Sequence, residues 1–542
     1  MNNEKTCALG IDFGTESARA LLIDAQTGEI IATAVEPYPN GVIDTALPGG
    51  APLGPDWALQ NPSDWLHALE STVRRVLSES GVDPQAVRGI GIDFTSCTVL
   101  PVKENGAPLS LFPAWRPAPN AWPKLWKHHA AQPYAERITR LAAQRGEPWL
   151  ARYGGIISSE WLLPKALQIL EEDPHIYAAA DLIVEGGDWV AWQLTGNFVR
   201  NACAAGFKGL WHKAEGYPSA EYLAELHPDF RDFYTTRGQG RVAPPGETVG
   251  SLTPEWASRL GLGTHTKVAV GIIDAHAGAI GAGVTQSGVL YMAMGTSTCH
   301  MLLTEEEKFC RGISGVVEDG ILPGWFGYEA GQAGAGDIFN WFTEFSGQDH
   351  ETLTRKAEAL PPGSDGLLAL DWWNGCRTPL VDADLSGLIL GFSLRTPPEA
   401  VYRALIESTA YGTRLILDTF AAGGIPVEKI IASGGLTQNP LLLQIYADVT
   451  GLPFEISATG QASALGAAIL GAVAGGAHPD IPAAVAAIAP PPRAVVQPDP
   501  ENHRRYSQFY TLYRELVDDF GRAGSVMKRL RDLRGGGELG IG

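Results

Sequence analysis

The first residues that could do chemistry lie in a turn near the start of the chain. Asp12 ends an apolar segment, and Gly14 and Thr15 follow it before a second apolar segment begins. Glycine lets the backbone approach an anion closely, and a threonine hydroxyl with adjacent N–H groups can bind phosphate oxygens. The Asp12 carboxylate could hold Mg²⁺ directly or through water. The turn is therefore a candidate phosphate site, although a plain hairpin with local hydrogen bonds would have the same sequence.

The elements around this turn recur in the second half of the chain. Residues 6–24 predict a strand, a tight turn and a strand, and residues 288–303 predict the same around Gly295 and Thr296. Strands on both sides of each Gly-Thr turn indicate two copies of one unit, each opening a domain. The helical spacing of apolar residues predicts a helix over 62–80.

Two segments near the end of the chain also have clear patterns, a strand followed by a double-glycine turn and a terminal helix. Residues 429–433 predict a strand that runs into the Gly434-Gly435 turn, and Pro440 suits the first turn of the helix that follows. The terminal helix carries one aromatic face, which we expect to pack on the core. That face comprises Tyr506, Phe509, Tyr510, Tyr513, Leu516 and Val517.

Composition limits the classes of function. A chain of 542 residues is expected to form two or more domains. The formal net charge of −20 argues against nucleic acid as a partner, but backbone N–H groups and a cation could still hold a small anion. No apolar run is long enough to span a membrane, and the N-terminus lacks a signal-peptide pattern. Six scattered cysteines indicate a reducing compartment, so we expect a cytoplasmic protein.

The order of these motifs along the chain resembles the actin, Hsp70 and sugar-kinase superfamily. The segment Gly271–Gly281, with Asp274 followed by Ala-His-Ala-Gly, is similar to the catalytic segment of FGGY carbohydrate kinases. Three segments, 185–196, 203–212 and 325–332, resemble the bacterial L-ribulokinase branch of that family. The superfamily motifs are phosphate 1 (Asp12, Gly14, Thr15, Ser17, Arg19), phosphate 2 (Gly295, Thr296, Ser297) and adenosine (Ser433, Gly434, Gly435, Asn439).

The resemblance implies a role for each matching residue. Asp274 would be the catalytic base that accepts the proton of a sugar hydroxyl, and with Asp12 it would bind Mg²⁺. ATP would bind through Gly14, Thr15, Gly295, Thr296 and Ser297 at its phosphates and through Gly434, Gly435 and Asn439 at its adenosine. Phosphoryl transfer needs mainly alignment and charge neutralisation, which these groups can supply. Asp274 could instead be a helix cap, since a helix is predicted to begin at His276.

Sugar binding is implied for a second set of residues. Lys208 and Glu329 interrupt apolar segments, and a polyol needs donors and acceptors that replace water. They could alternatively form a structural ion pair. Asp93 and Ser96, at a predicted strand end, are further candidates, although Asp93 could be a satisfied strand-end carboxylate. Tryptophans such as Trp126 could stack on a sugar but are more often core residues.

We therefore expect an α/β fold of two ribonuclease-H-like, actin-like ATPase domains, 1–284 for sugar and 285–542 for ATP, with a cleft between them. The expected reaction is ATP-dependent phosphorylation of L-ribulose to L-ribulose 5-phosphate, the kinase step of L-arabinose catabolism. Alternatives are a related kinase for D-ribulose, D-xylulose or ribitol, and a non-enzymatic nucleotide switch of the actin or Hsp70 type. A homodimer is expected from the habit of the family.

Overall fold

A computed structural model describes residues 5–50, 52–522 and 524–534. The first half of the chain contains β1 (Cys7–Phe13), β2 (Ser17–Asp24), β3 (Ile30–Pro37), α1 (Pro62–Ser80), β4 (Val87–Phe94), β5 (Val99–Val102), α2 (Gln132–Arg145), α3 (Leu162–Glu172), α4 (Pro174–Ala179), β6 (Leu182–Glu185), α5 (Gly186–Thr195), β7 (Arg200–Asn201), α6 (Ala202–Gly209), α7 (Ala220–Leu226), β8 (Val242–Ala243), β9 (Thr248–Ser251), α8 (Pro254–Leu260), β10 (Lys267–Ala269), β11 (Ile272–Ile273) and α9 (Asp274–Gly281).

The second half contains β12 (Val289–Met294), β13 (Thr298–Thr304), β14 (Gly315–Glu318), β15 (Phe326–Gln332), α10 (Gly336–Ser346), α11 (His350–Glu358), β16 (Leu368–Leu370), β17 (Leu388–Leu390), α12 (Pro398–Ala422), β18 (Lys429–Ser433), α13 (Pro440–Thr450), β19 (Phe454–Ile456), α14 (Ala462–Ala474), α15 (Ile481–Ile488), β20 (Ala494–Val496), α16 (Pro500–Phe520) and α17 (Val526–Arg534). No helix of the described residues is both long and apolar enough to cross a membrane.

Each half contains one large sheet, and the two sheets share a topology. The first has the order β3-β2-β1-β4-β10-β9, with β11 also paired to β4, and the second has the order β14-β15-β13-β12-β18-β19-β20. In both, a run of antiparallel strands (β3-β2-β1 in the first sheet, β14-β15-β13-β12 in the second) adjoins two strands that pair in parallel (β4 and β10, β18 and β19). This arrangement confirms the α/β, ribonuclease-H-like fold and the two related units.

Local sequence explains why the predicted helices form. The side chain of Asn61 accepts a hydrogen bond from the backbone of Ser63, Pro62 occupies the first turn, and Gly81 ends α1 in the left-handed conformation. The buried face of α16 comprises Tyr506, Tyr510, Tyr513 and Val517. Phe509 and Leu516 are partly buried beside them, so the packing predicted for the terminal helix is confirmed.

Small residues bring α14 of the second half onto the sheet of the first half. A Cβ on Gly91 of β4 would lie 1.8 Å from the carbonyl oxygen of Ala467, and one on Gly466 would lie 1.9 Å from that of Ala277 in α9. Because no side chain fits there, backbone packs directly on backbone. Helix α14 therefore ties the halves together. The boundary at 284/285, between α9 and β12, stays a prediction.

Candidate active site

Three carboxylates meet at one edge of the first sheet. Strand β1 pairs in parallel with β4, which places Asp12 opposite Asp93. Strand β11 also pairs with β4, with Ile272 opposite Asp93, and Asp274 follows directly as the first residue of α9. Because parallel strands end at the same edge of a sheet, Asp12, Asp93 and Asp274 lie together.

Burial and mutual repulsion control the protonation of these carboxylates. Asp93 is fully buried, and burial followed by the nearby Asp12 charge raises the pKa of Asp93 well above its usual range. Asp274 is half-buried, and burial followed by the Asp12 charge raises the pKa of Asp274 to about 7. A hydrogen bond that Asp274 Oδ1 accepts from the backbone N–H of Ala275 at 2.7 Å partly offsets this rise. Burial also raises the pKa of Asp12, and Arg19 opposes that shift. Asp274 is therefore poised to exchange a proton near neutral pH.

In each Gly-Thr turn the glycine donates a backbone hydrogen bond to a residue two or three positions further on. The N–H of Gly14 donates to the carbonyl of Ser17 at 3.0 Å, and the N–H of Gly295 donates to the carbonyl of Ser297 at 2.9 Å. Gly295 and Thr296 are exposed. Both turns thus present backbone and hydroxyl groups at the end of a central strand, as a phosphate cradle requires.

The third turn lies beside the second. Gly434 has φ of +98°, and a Cβ there would lie 2.3 Å from the carbonyl oxygen of Met294. Because Gly434 has no side chain, the turn after β18 can lie directly against the end of β12, next to Gly295. Asn439 caps α13 by accepting the N–H of Leu442 at 3.2 Å, and its amide also donates to the hydroxyl of Thr354 at 3.2 Å.

Gly435, beside Gly434, is exposed and has open space around its Cα. The exposed surface of this turn would leave room for a flat ligand group. The structure therefore brings the predicted adenosine residues next to the second Gly-Thr turn, at Gly295.

Lys208 and Glu329 form a buried ion pair between the two halves. Lys208 lies on α6 and Glu329 on β15, and the ammonium donates to both carboxylate oxygens at 2.8 and 2.7 Å. Their side chains are 4% and 11% exposed. Burial disfavours the charged form of both groups, but the charge and hydrogen bonds of the partner outweigh burial in each case. The pKa of Lys208 is therefore raised and that of Glu329 is lowered. Both groups are charged at neutral pH.

Ser96 and Cys97 form a strained loop after β4. Cys97 adopts φ of +59°, an unusual conformation for a residue with a side chain. The ammonium of Lys165, which is fully buried, donates to the carbonyl of Cys97 at 2.7 Å and to that of Leu125 at 2.8 Å. The Ser96 hydroxyl is half-buried and lies 3.0 Å from the Cys97 sulfur. Buried hydrogen bonds therefore hold the loop that carries Ser96.

Several residues around the site carried no local signal in the sequence. The indole N–H of Trp126 donates to the Thr15 hydroxyl at 3.1 Å, and the side-chain amide of Gln60 donates to the Thr15 carbonyl at 2.7 Å. His276 is buried with Nε2 3.4 Å from a Glu329 oxygen, and burial lowers the pKa of His276 to about 4. Each contact joins residues far apart in sequence, so spacing alone could not reveal it.

The carboxylates fit a Mg²⁺ ion that is only partly held by protein. In the described ranges, no group of three or more His, Cys, Asp or Glu side chains is arranged to hold a metal by itself. The Asp93 oxygens also lack a hydrogen-bond donor there. Mg²⁺ commonly takes one or two carboxylates and completes its shell with water and phosphate oxygens. The hard oxygen donors of Asp12 and Asp274, close to the first Gly-Thr turn, match that habit.

Two actin-like halves, a Gly-Thr turn at the end of a central strand in each, and a carboxylate whose pKa is raised to about 7 are compatible with a phosphotransferase. Family models agree with this class: residues 7–281 match the N-terminal domain and residues 290–475 the C-terminal domain of the FGGY family of carbohydrate kinases. The chain belongs to the FGGY family of carbohydrate kinases and is a sugar kinase.

Curated relatives match over nearly the full length. A ribulokinase from Anoxybacillus flavithermus is 50% identical, with 97% of each chain covered. A ribulokinase from Mycolicibacterium smegmatis is 46% identical, with 98% of this chain and 97% of the relative covered. These similarities confirm that the sequence resembles ribulokinases.

Solved structures share the fold at low sequence identity. A ligand-bound xylulose kinase from Lactobacillus acidophilus has a TM-score of 0.79 at 19% identity, covering 96% of this chain and 99% of the other. A glycerol kinase from Plasmodium falciparum with ADP has a TM-score of 0.77 at 17% identity, covering 94% and 98%. They support the two-domain architecture.

Proposed function

We propose that this chain transfers the γ-phosphoryl group of ATP to L-ribulose, giving ADP and L-ribulose 5-phosphate, the kinase step of L-arabinose catabolism. The observation that carries the proposal is that Asp274, the first residue of α9, lies near Asp12 and near the buried Lys208–Glu329 pair, since the charges of all three residues act on the Asp274 carboxyl. L-Ribulose is proposed because relatives named ribulokinase are about 50% identical over nearly the whole chain.

In the proposed mechanism, Asp274 acts as general base. Its carboxylate accepts the proton of the sugar hydroxyl while that oxygen forms a bond to the γ-phosphorus. The bond from phosphorus to the oxygen of ADP breaks, and ADP leaves with the bonding pair. The turns at Thr15 and Thr296 donate to phosphate oxygens and align the transfer. Adenosine lies near Gly434, Gly435 and Asn439.

Asp12 and Asp274 would hold Mg²⁺, with Asp93 beside them. Bound there, the ion would supply neutralisation of phosphate charge. The raised pKa of Asp93 and of Asp274 supports this assignment, because both groups experience excess negative charge that a cation would relieve.

The sugar is proposed to bind Lys208, Glu329, Asp93 and Ser96. Lys208 and Glu329 already bond each other, so a polyol hydroxyl would share or replace that bond, donating to the carboxylate and accepting from the ammonium. A purely structural ion pair would have the same geometry. The KM for L-ribulose of variants of the pair distinguishes the structural role from the sugar-binding role.

The experiment compares this pair with an exposed pair that joins the same two halves. Glu329→Gln is expected to raise the KM for L-ribulose at least about tenfold, because buried charge-assisted hydrogen bonds are strong. Glu318→Gln is the matched control: Lys213 contacts Glu318 at 2.8 Å between the halves, but both side chains are more exposed. Equal sugar KM values for both variants would make the buried pair purely structural.

Substrate choice is tested by ADP release with Mg²⁺-ATP and L-ribulose, D-ribulose, D-xylulose, L-xylulose, ribitol or glycerol. The highest kcat/KM is expected for L-ribulose. A higher value for another sugar would favour the alternative of a different pentulose or pentitol kinase. Membership of a carbohydrate kinase family favours an enzyme over the nucleotide-switch alternative, and ADP release without any dependence on sugar would reverse that preference.

Two further expectations accompany the proposal. Six free cysteines fit a reducing cytoplasm, which fractionation of cells would test. A homodimer stays a prediction, and light scattering at several protein concentrations would measure its mass.

A further inference from the structure

The first phosphate turn is held by a tryptophan that lies far away in sequence. The indole Nε1 of Trp126 is 3.1 Å from the Thr15 hydroxyl oxygen, and both residues are half-buried. The backbone of the same threonine is fixed separately, because the Gln60 side chain donates to the Thr15 carbonyl at 2.7 Å. Two distant residues therefore hold Thr15, one through its side chain and one through its backbone.

The chemistry of the indole determines the direction of this hydrogen bond. An indole N–H can only donate, so the Thr15 oxygen must accept. A hydroxyl has one proton and two lone pairs. With one lone pair engaged by Trp126, the Thr15 proton must point away from the indole. It is then free to donate to another acceptor at the turn.

The backbone beside Trp126 is itself well held. Lys124 exchanges hydrogen bonds with Val99, its N–H donating at 2.8 Å and its carbonyl accepting at 3.1 Å. The N–H of Leu125 donates to the carbonyl of Ala58 at 2.9 Å. The Lys165 ammonium also donates to the Leu125 carbonyl at 2.8 Å. Trp126 thus extends from a fixed segment and can impose an orientation on Thr15.

We propose that Trp126 is a positioning residue that orients the Thr15 hydroxyl as a hydrogen-bond donor to a nucleotide phosphate oxygen. This inference rests on the proposed function, since it assumes that the turn at Thr15 binds phosphate. It assigns to Trp126 a role different from stacking on a sugar. The role belongs to the nucleotide side, so sugar binding should not depend on it.

The test is a double-mutant cycle of Trp126→Phe and Thr15→Val. Trp126→Phe keeps an aromatic ring but removes the indole N–H and part of the ring volume, a loss that the control below shares, and Thr15→Val keeps the shape and removes the hydroxyl. Steady-state kinetics give kcat and the KM for ATP and for L-ribulose, and calorimetry gives the Kd of Mg²⁺-AMP-PNP. The control is Trp149→Phe, whose indole donates to Glu147 at 3.1 Å through a local contact.

We expect Thr15→Val to lower kcat/KM for ATP by about tenfold or more, and Trp126→Phe by about fivefold, the size of one net hydrogen bond. The KM for L-ribulose stays unchanged in Trp126→Phe, and its Kd for AMP-PNP rises. In the Thr15→Val background, Trp126→Phe has no further effect. In the Thr15→Ser background, which keeps the hydroxyl, Trp126→Phe again lowers kcat/KM for ATP. This variant keeps the test valid if the valine variant does not fold.

Two results would overturn the inference in different ways. If the effects of Trp126→Phe and Thr15→Val multiply independently, or if the KM for L-ribulose changes instead, Trp126 does not act through the Thr15 hydroxyl while the proposed function stands. If both Thr15→Val and Thr15→Ser bind and turn over ATP as the wild type does, the phosphate assignment of the proposed function fails, and the role of Trp126 fails with it.

Discussion

Asp274→Asn is expected to lower turnover by about 100-fold or more and to stabilise the folded protein. Burial and the Asp12 charge raise the pKa of Asp274 to about 7, whereas aspartate in an unfolded chain titrates near about 3.9. Between these values the folded chain keeps a proton that the unfolded chain has lost. The free energy of unfolding therefore falls as pH rises through this window, and the loss is complete above pH 7.

The size of the effect follows from the same two pKa values. One pKa unit corresponds to about 1.36 kcal/mol, so the full window of about three units gives up to about 4 kcal/mol. Between pH 5 and pH 8 about two units remain, or up to about 2.7 kcal/mol. Partial exposure of Asp274 reduces this, so we expect about 1–2.7 kcal/mol. The Asp274 charge also raises the pKa of Asp93, so its removal acts in the same direction.

The assay is urea denaturation of wild type and Asp274→Asn at pH 5 and pH 8, followed by tryptophan fluorescence without nucleotide or Mg²⁺. The stability advantage of the variant should grow by the stated amount between the two pH values. Its kcat with L-ribulose should fall by about 100-fold or more, the contribution of a positioned base. Asp44→Asn, at an exposed position, is the control for a simple loss of charge.

Two results would refute this reasoning. An advantage that is the same at pH 5 and pH 8 would mean that the Asp274 carboxyl titrates alike in the folded and unfolded chains. Near-normal turnover by Asp274→Asn would mean that another group accepts the proton.

Two further substitutions test packing and buried charge. Gly91→Ala should destabilise the protein by about 3 kcal/mol or more in urea denaturation, because the new Cβ would lie 1.8 Å from the Ala467 carbonyl oxygen. The control is Gly460→Ala, where a Cβ would meet open space and stability should change by less than about 1 kcal/mol. Lys165→Met should cost about 3 kcal/mol in the same assay, because it leaves buried carbonyls without a donor. Exposed Lys127→Met is its control, and an equal effect of both lysine variants would contradict a specific role for the buried ammonium.

Much of the fold was predictable because its signals are local. Apolar periodicity predicted α1 over 62–80, and the structure has it at Pro62–Ser80. The two strand–turn–strand units predicted two related sheets, which the shared strand order confirms. The partner of α14 was not predictable, because its Ala/Gly-rich sequence indicates close packing without saying which surface it packs on. That surface is the sheet of the other half.

The candidate site divides in the same way. The turns at Gly14 and Gly295 follow strands and could be found from sequence, as could Asp274 at the start of a helix. The contact of Trp126 with Thr15 joins residues 111 positions apart, and no periodicity encodes such a distance. For Lys208 and Glu329, 121 positions apart, residue type suggested either a ligand contact or an ion pair, and only the three-dimensional structure shows that they meet.

In the proposed sugar site, the Lys208–Glu329 pair would select for a hydroxylated ligand. Two buried charges are tolerable only when each is paired, and here each offsets the cost of burying the other. A sugar that enters between them must offer both a donor and an acceptor, which a hydroxyl does. An analogue with hydrogen in place of that hydroxyl would leave a buried group unpaired, at a cost of about 1–3 kcal/mol or more. Selection would thus arise from the penalty on the wrong ligand as much as from attraction to the right one.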